Sequence, residues 1–262
     1  MHALITRHMN APRLNIETEV SPDVLNRLMK KVEETWSRLG QEDAHWSVIT
    51  NEKFRKDSLS DHLDDFFASG EGDISRVEAA LNRVGASLSE MNSIMDYGCG
   101  VGRLSIPLAK RCQHVLGVDI SLAHLHEANA NIERASLKNI DLSLAGSIGK
   151  LRELPEFDLV LSLIVLQHNS PPVMLEILKI LCSRVRGGGY LYIQTQTYKS
   201  GYIYSAEADL ANSSKEMAMH VLPQDIFLQT IQDAGLSILE VTEDGSAGSL
   251  EFRSQVVLAR RR

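Results

Sequence analysis

From Ser93 onward the chain alternates short apolar runs with helical ones, and this alternation restricts the fold more than any other feature. SIMDY, HVLGVD, IDLSLAG, FDLVLSLIV and YLYIQTQTY read as strands, interleaved with RLSIPLAKRC, SLAHLHEANANIERAS and PPVMLEILKILCSRV, whose apolar residues recur at helical spacing. Strands joined through helices imply right-handed crossovers, so the pattern predicts an α/β domain with a doubly wound, mainly parallel, Rossmann-like sheet. After the helical run PQDIFLQTIQDAG, the runs LSILEVTED and SQVVLAR follow with no clear helix between them. They are expected to form an antiparallel terminal hairpin.

The first 92 residues read differently. Ser21-Pro22-Asp23 is a helix start, with a capping hydroxyl, proline at the first helical position and an acid at the positive end of the dipole. Leu25, Leu28, Val32, Trp36 and Leu39 keep helical spacing behind it, and Gly40 is expected to stop the helix. From His45 to about Val84 the pattern stays helical but broken. The expected organisation is a helical N-terminal cap over residues 1–92 and a ligand-binding sheet domain over residues 93–262, with a residue such as Phe66 or Phe67 closing over the ligand.

Charge narrows the partners. The chain carries 27 basic and 34 acidic side chains, net −7. Neither segment is basic, with 11 basic and 16 acidic residues before Ser93 and 16 and 18 from there on. A phosphate-backbone partner calls for a basic face, so a nucleic-acid substrate is disfavoured, and Arg260, Arg261 and Arg262 are read as a solvated tail. Cys99, Cys112 and Cys182 are odd in number and lack C-x-x-C spacing, which fits neither a disulfide framework nor a zinc site. With no run of signal-peptide or membrane-span length, the expectation is a soluble, cytoplasmic protein that uses no metal.

The candidate site starts at MDYGCGVGRL, residues 95–104. Glycine at alternate positions, Gly98, Gly100 and Gly102, leaves bare backbone against which a large ligand can lie at a helix start. In a doubly wound sheet that ligand sits over the carboxyl ends of the strands, beside the first strand-to-helix turn. Asp119, seventeen residues after Gly102, ends the next strand and is placed to accept the hydroxyls of a ribose. A nicotinamide dinucleotide normally meets G-x-G-x-x-G, whereas this turn is G-x-G-x-G with Asp96 two residues ahead of it. An acid there repels a pyrophosphate and suits the ammonium end of an amino acid.

These residues resemble the class I S-adenosylmethionine-dependent methyltransferases. The resemblance covers roughly residues 92–262: DYGCGVG is similar to the family's first motif, GVD to its second, FDLVLSLIVLQH to its fourth and GGG-YLYIQ to the next. It implies a seven-stranded sheet with the antiparallel hairpin, and S-adenosyl-L-methionine as cofactor. By the same resemblance Asp96, Gly98, Cys99 and Gly100 surround the methionine part, Gly102 completes the cofactor-binding turn, Asp119 takes the ribose and Ile120 packs on the adenine. In the third motif, where many relatives have an acid, the chain has Gly146-Ser147-Ile148, so Ser147 offers an oxygen and Ile148 an apolar wall.

Two histidines are candidates for chemistry. His168 follows the fourth strand in LQHNSPP, where the family's sheet edge faces the reacting methyl group; it is either a general base for a hydroxyl acceptor or a shaper of the Pro171-Pro172 turn. His220, in MHVLPQD, is the second candidate. His124 and His126 lie on a helix and are expected to face water. Tyr198, Tyr202 and Tyr204 form either a platform for the acceptor or a packed loop. The resulting expectation is methyl transfer to a small-molecule or carbohydrate-like acceptor, on oxygen. The alternatives are a protein or RNA methyltransferase, a non-catalytic methyltransferase-like binding module, and a nicotinamide oxidoreductase.

Overall fold

The computed structural model describes residues 13–214, 216–245 and 251–262. In chain order the strands are β1 (Asn15–Ile16), β2 (Ile94–Tyr97), β3 (Val115–Asp119), β4 (Ile140–Leu144), β5 (Phe157–Ser162), β6 (Val185–Lys199), β7 (Ile203–Tyr204), β8 (Leu236–Asp244) and β9 (Phe252–Arg261). The helices are α1 (Pro22–Val48), α2 (Leu59–Arg83), α3 (Ser105–Ala109), α4 (Leu122–Arg134), α5 (Ile148–Arg152), α6 (Pro171–Ser183), α7 (Ala206–Ala211) and α8 (Gln224–Asp233).

Seven strands form one sheet in the order β4-β3-β2-β5-β6-β9-β8. β9 runs antiparallel to both its neighbours and the other pairings are parallel, as the missing helix before SQVVLAR predicts. Strand order reverses between β2 and β5, so the crevice at their carboxyl ends is the switch point where such sheets receive ligands. Both faces are covered. One core contains Met95, Val160, Ile193 and Val257 with helix residues such as Ile177 and Phe227; the other contains Ile94, Leu159, Leu161 and Leu258.

The N-terminal helices belong to these same cores. Ile74, Val77 and Leu81 of α2 pack in the second, while Leu28 and Met29 of α1 pack in the first. Ser21 caps α1 as expected, its Oγ accepting the Val24 N–H at 3.4 Å. The helix does not stop at Gly40, however; it runs on to Val48 with a kink at Asp43. Gly40 is a close-packing position instead, because a Cβ there would lie 2.6 Å from His124 Nδ1 and 2.8 Å from Ser121 Oγ on α4. The terminal arginines are not a loose tail either. Arg261 is a β9 residue, and its guanidinium donates to the carbonyls of Ala234 and Cys182.

Phe66 is fully buried, with edge-to-face contacts to Phe54 and Phe67, so it is core and not a closing lid. Beside it, Gly70 meets the turn after β2 with no room for a side chain: a Cβ would lie 2.1 Å from the Arg103 carbonyl oxygen. Gly72, two residues on, has nothing within 4 Å of its Cβ position. Gly70→Ala should therefore destabilise by about 1–3 kcal/mol through overpacking, lowering the thermal midpoint by several degrees in calorimetry. Gly72→Ala should leave that midpoint unchanged or raise it, since alanine is the better helix former.

Candidate active site

The turn after β2 is left-handed at all three glycines, with φ of 77° at Gly98, 53° at Gly100 and 87° at Gly102. At the first two the missing Cβ also admits neighbouring walls: a Cβ on Gly98 would fall 2.3 Å from Val165 Cγ2 and one on Gly100 2.6 Å from Val48 Cγ2. The turn is thus pressed between the end of α1 and the segment after β5. Asp119 holds it from below, one carboxylate oxygen accepting the Gly100 N–H at 2.8 Å and the other the Ser121 N–H at 2.9 Å.

Above this turn lies a cavity of about 760 Å³, counted with the solvent space at its mouth. Gly98, Cys99, Gly100, Asp119 and Ile120 line its floor. Its roof is Val32, Trp36, Ser47 and Val48 of α1, and its far wall is Leu163, Ile164, Val165 and Asn169. The stripe of α1 that the periodicity picked out as apolar is thus partly a cavity wall.

Three of the expected residues lie elsewhere. Asp96 is buried beneath the turn, where Ser105 Oγ donates to it at 2.6 Å; burial pushes its carboxyl up to about 6, against the pull of Ser105 and Arg103. Ser147 caps α5 through the Lys150 N–H, and Ile148 is buried in the core. None of the three borders the cavity, and neither does Gly102.

Two cavity residues carry signals that helical spacing and motif matching did not reveal. Arg103 has a buried side chain whose Nη1 pairs with Asp73 of α2 at 2.5 Å and with Ser69 Oγ at 3.3 Å, while its Nε has no partner. It is a fixed cation in the cavity wall. His124, expected to face water, is 1% exposed. Its exclusion from water follows from α1 lying directly over α4. Ser47 gives its proton to the Ala44 carbonyl at 2.9 Å, so at 2.8 Å it accepts from His124 Nε2, which fixes the tautomer and leaves Nδ1 bare.

A second cavity, about 830 Å³, adjoins the first, and Val32 and Trp36 line both. The Trp36 ring stands between two histidines, 6.0 Å from the His124 centroid and 5.3 Å from that of His168. His168 and His220 both line the second cavity and not the first. His168 Nδ1 donates to the Ala218 carbonyl at 3.0 Å, leaving Nε2 with a free lone pair. Burial pushes this histidine down to about 4, helped by His220 and opposed by the Ala218 contact. His220 Nδ1 is 2.7 Å from the Tyr202 hydroxyl. Tyr204 donates to Asp209 at 2.8 Å, and Asp209 pairs with Lys31 at 2.6 Å.

The far wall contains one strained residue. Ile164 has φ 63°, and a β-branched side chain in the left-handed region costs on the order of 1–3 kcal/mol.

Comparison with known proteins accords with this arrangement. Residues 94–189, from β2 into β6, match the family described as a methyltransferase domain. That stretch holds motifs on which the resemblance to the class I S-adenosylmethionine-dependent methyltransferases rests. Over 157 residues it is 26% identical to the ubiquinone biosynthesis O-methyltransferase of Coxiella burnetii, an alignment covering 57% of this chain and 65% of that protein, just under two thirds of the relative's length. The magnesium protoporphyrin IX methyltransferase of Synechocystis PCC 6803, crystallised with bound SAH, superposes with a TM-score of 0.56 at 22% identity, over 76% of this chain and 87% of that one. The N-methyltransferase NodS of Bradyrhizobium japonicum, in complex with S-adenosyl-L-homocysteine, gives 0.57 at 13% identity over 88% and 98%. These two likenesses concern the fold. The cofactor of this family is S-adenosylmethionine. Among the described residues no helix is long and apolar enough to cross a membrane, and no cluster of His, Cys, Asp and Glu could hold a metal ion.

Burial holds four histidines neutral: His124 in the first cavity, His168 and His220 in the second, and His45 beside Phe66 are all lowered, with burial the largest cause in each. A base whose folded pKa lies below its unfolded value takes up protons on unfolding, so this stability is present above the unfolded pKa near 6.5 and is lost as pH falls through it. Asp96 opposes this, being raised, and gains stability as pH falls towards about 6. Four histidines against one carboxyl predict a thermal midpoint that drops by several degrees between pH 7.5 and 6. In His124→Gln, measured by the same pH series, the drop should be smaller.

Proposed function

We propose that the protein transfers the methyl group of S-adenosylmethionine to a hydroxyl of a small-molecule or carbohydrate-like acceptor. The observation that carries this reading is the pair of adjoining cavities that share Val32 and Trp36, one floored by the glycine turn and Asp119, the other lined by His168 and His220. Methyl transfer asks mainly that an acceptor be held in line with an activated sulfonium in a dry site. Two chambers with a common wall suit that requirement.

In the first cavity Asp119 would receive the ribose hydroxyls, since each of its oxygens accepts one backbone N–H and keeps a further lone pair. Ile120 would pack on the adenine. Arg103, fixed by Asp73, is the counter-charge for the methionine carboxylate, a role for which a planar guanidinium is well suited. S-Adenosylmethionine supplies an electrophilic methyl group on sulfur; the chain supplies orientation, exclusion of water and a destination for the acceptor's proton. That destination is His168 Nε2, whose lone pair is free because Nδ1 is committed to Ala218.

Calorimetric titration with S-adenosylhomocysteine should give binding, and NAD none. Asp119→Ala should weaken that binding by roughly 2–4 kcal/mol, the range for lost charge-assisted hydrogen bonds. An unchanged dissociation constant in a folded variant removes Asp119 from the ribose.

A methyl-transfer screen over sugars, nucleotide sugars, phenols and amines tests the acceptor. With a hydroxyl acceptor, His168→Ala should lower turnover by about 10²-fold while cofactor affinity holds. Because His168 is held down to about 4, its activity limb should lie on the acid side, leaving the profile flat from pH 6 to 8. Turnover within a few-fold of the parent assigns His168 to shaping the turn.

A further inference from the structure

We propose that Gln194 is a positioning residue for the cofactor cavity: it holds the wall segment 163–165 in its left-handed turn through the Ile164 N–H, and so sets cofactor affinity without touching the cofactor. The inference rests on the cofactor reading given above.

The backbone ladder between β5 and β6 ends at the pair Ser162 and Ile193. One step further along β6 comes Gln194, and its side chain continues the ladder. Its Oε1 accepts the Ile164 N–H at 2.7 Å. An N–H can only donate, so the amide oxygen must face Ile164, and Nε2 is left to donate to Ser254 Oγ on β9. Gln194 is fully buried and Ser254 nearly so, which denies both the exchange with water that would weaken a surface contact.

What this bond holds is costly by itself. Ile164 is one of two non-glycine residues with positive φ among the described residues, and it is β-branched. An unstrained sequence would place Gly or Asn there. The strained conformation turns the chain sharply after β5, bringing Val165 so close to Gly98 that no Cβ fits between them, and setting Leu163, Ile164 and Val165 as one wall of the cavity. If the N–H loses its acceptor, nothing else on that group opposes relaxation of Ile164 towards the extended region, and the wall departs from the glycine turn. Strain kept at a ligand wall by a buried side-chain bond fits a pre-organised site.

A double-mutant cycle separates this role from simple core packing. Gln194→Met keeps the side-chain length and removes the acceptor; Ile164→Gly removes the strain. In the parent background Gln194→Met should weaken S-adenosylhomocysteine binding about tenfold, as expected for one lost buried hydrogen bond. In the Ile164→Gly background the same change should cost less than about twofold, because a glycine needs no holding. Gln194→Glu, which keeps an acceptor for the N–H, should bind closer to the parent than Gln194→Met does. Equal weakening in both backgrounds, or no weakening in either, overturns the inference. Should Gln194→Met fail to fold, Ser254→Ala, which frees Nε2 and leaves Oε1 in place, must show the same background dependence at smaller size, and equal effects again overturn the inference. A parent protein that binds neither S-adenosylhomocysteine nor S-adenosylmethionine overturns the cofactor reading itself, a result distinct from either of these.

Discussion

The carboxylate of Asp119 ties together the parts on which the site depends. One oxygen holds the Gly100 N–H in the turn after β2, and the other holds the Ser121 N–H at the start of α4. Two adjacent strand-to-helix turns are thereby locked to each other at the carboxyl edge of the sheet. The glycine turn needs such a lock, because three left-handed residues in five have no intrinsic preference for this path over others. Once the two turns are fixed, the floor of the cavity is fixed, and α4 is placed to receive α1 across it.

The docking of α1 on α4 depends on absent atoms. Gly40 lets α1 approach until His124 and Ser121 occupy the space a side chain would take, and Gly70 does the same for α2 against Arg103. The buried Arg103–Asp73 pair then joins α2 to the end of the glycine turn. A buried ion pair is weak evidence for stability, since desolvation offsets most of its attraction. Its effect here is positional: an arginine anchored at one nitrogen keeps its orientation in a wall where a free one would wander, and its Nε has no partner.

Much of the sheet was legible in the sequence because its signal is local. Period-two and continuous apolar runs, the turn glycines, Asp119 at a strand end and the missing helix before the last strand each show within about ten residues. The rest depended on contacts between distant segments. The apolar stripe of α1 was visible, but whether Val32 and Trp36 would pack against protein or border a ligand was not, since periodicity reports which face is apolar and not what covers it. Gly40 read as a stop because glycine commonly ends helices, whereas its use here is set by a residue 84 positions away on α4. His124 failed for the same reason. On an isolated helix it looks solvent-facing, and it is α1 that buries it. Gln194 and Ile164, thirty residues apart, carry no motif, yet an isoleucine in a left-handed turn is a conflict between local preference and global fold of the kind that collects at functional sites.

The electrostatics of the site follow from what the proposed reaction must tolerate. The cofactor brings a positive sulfonium, so a protonated histidine on the shared wall would repel it and raise the cost of binding. Burial prevents this at His124 on one side of Trp36 and His168 on the other, both of which are held below the usual range for imidazole. A histidine with so low a pKa is a weak base in the free protein, which argues that its task begins only when the acceptor's proton becomes acidic, as the methyl group arrives. At that point positive charge leaves the sulfur and appears on the imidazole, in a cavity bordered by the carboxylates of Asp209 and Glu216. Asp209 is already bound to Lys31 and Tyr204, so it does not hold His168 charged beforehand. The histidine is therefore neutral while the cofactor binds and free to accept a proton as the methyl group moves, and both conditions follow from the burial that α1 imposes.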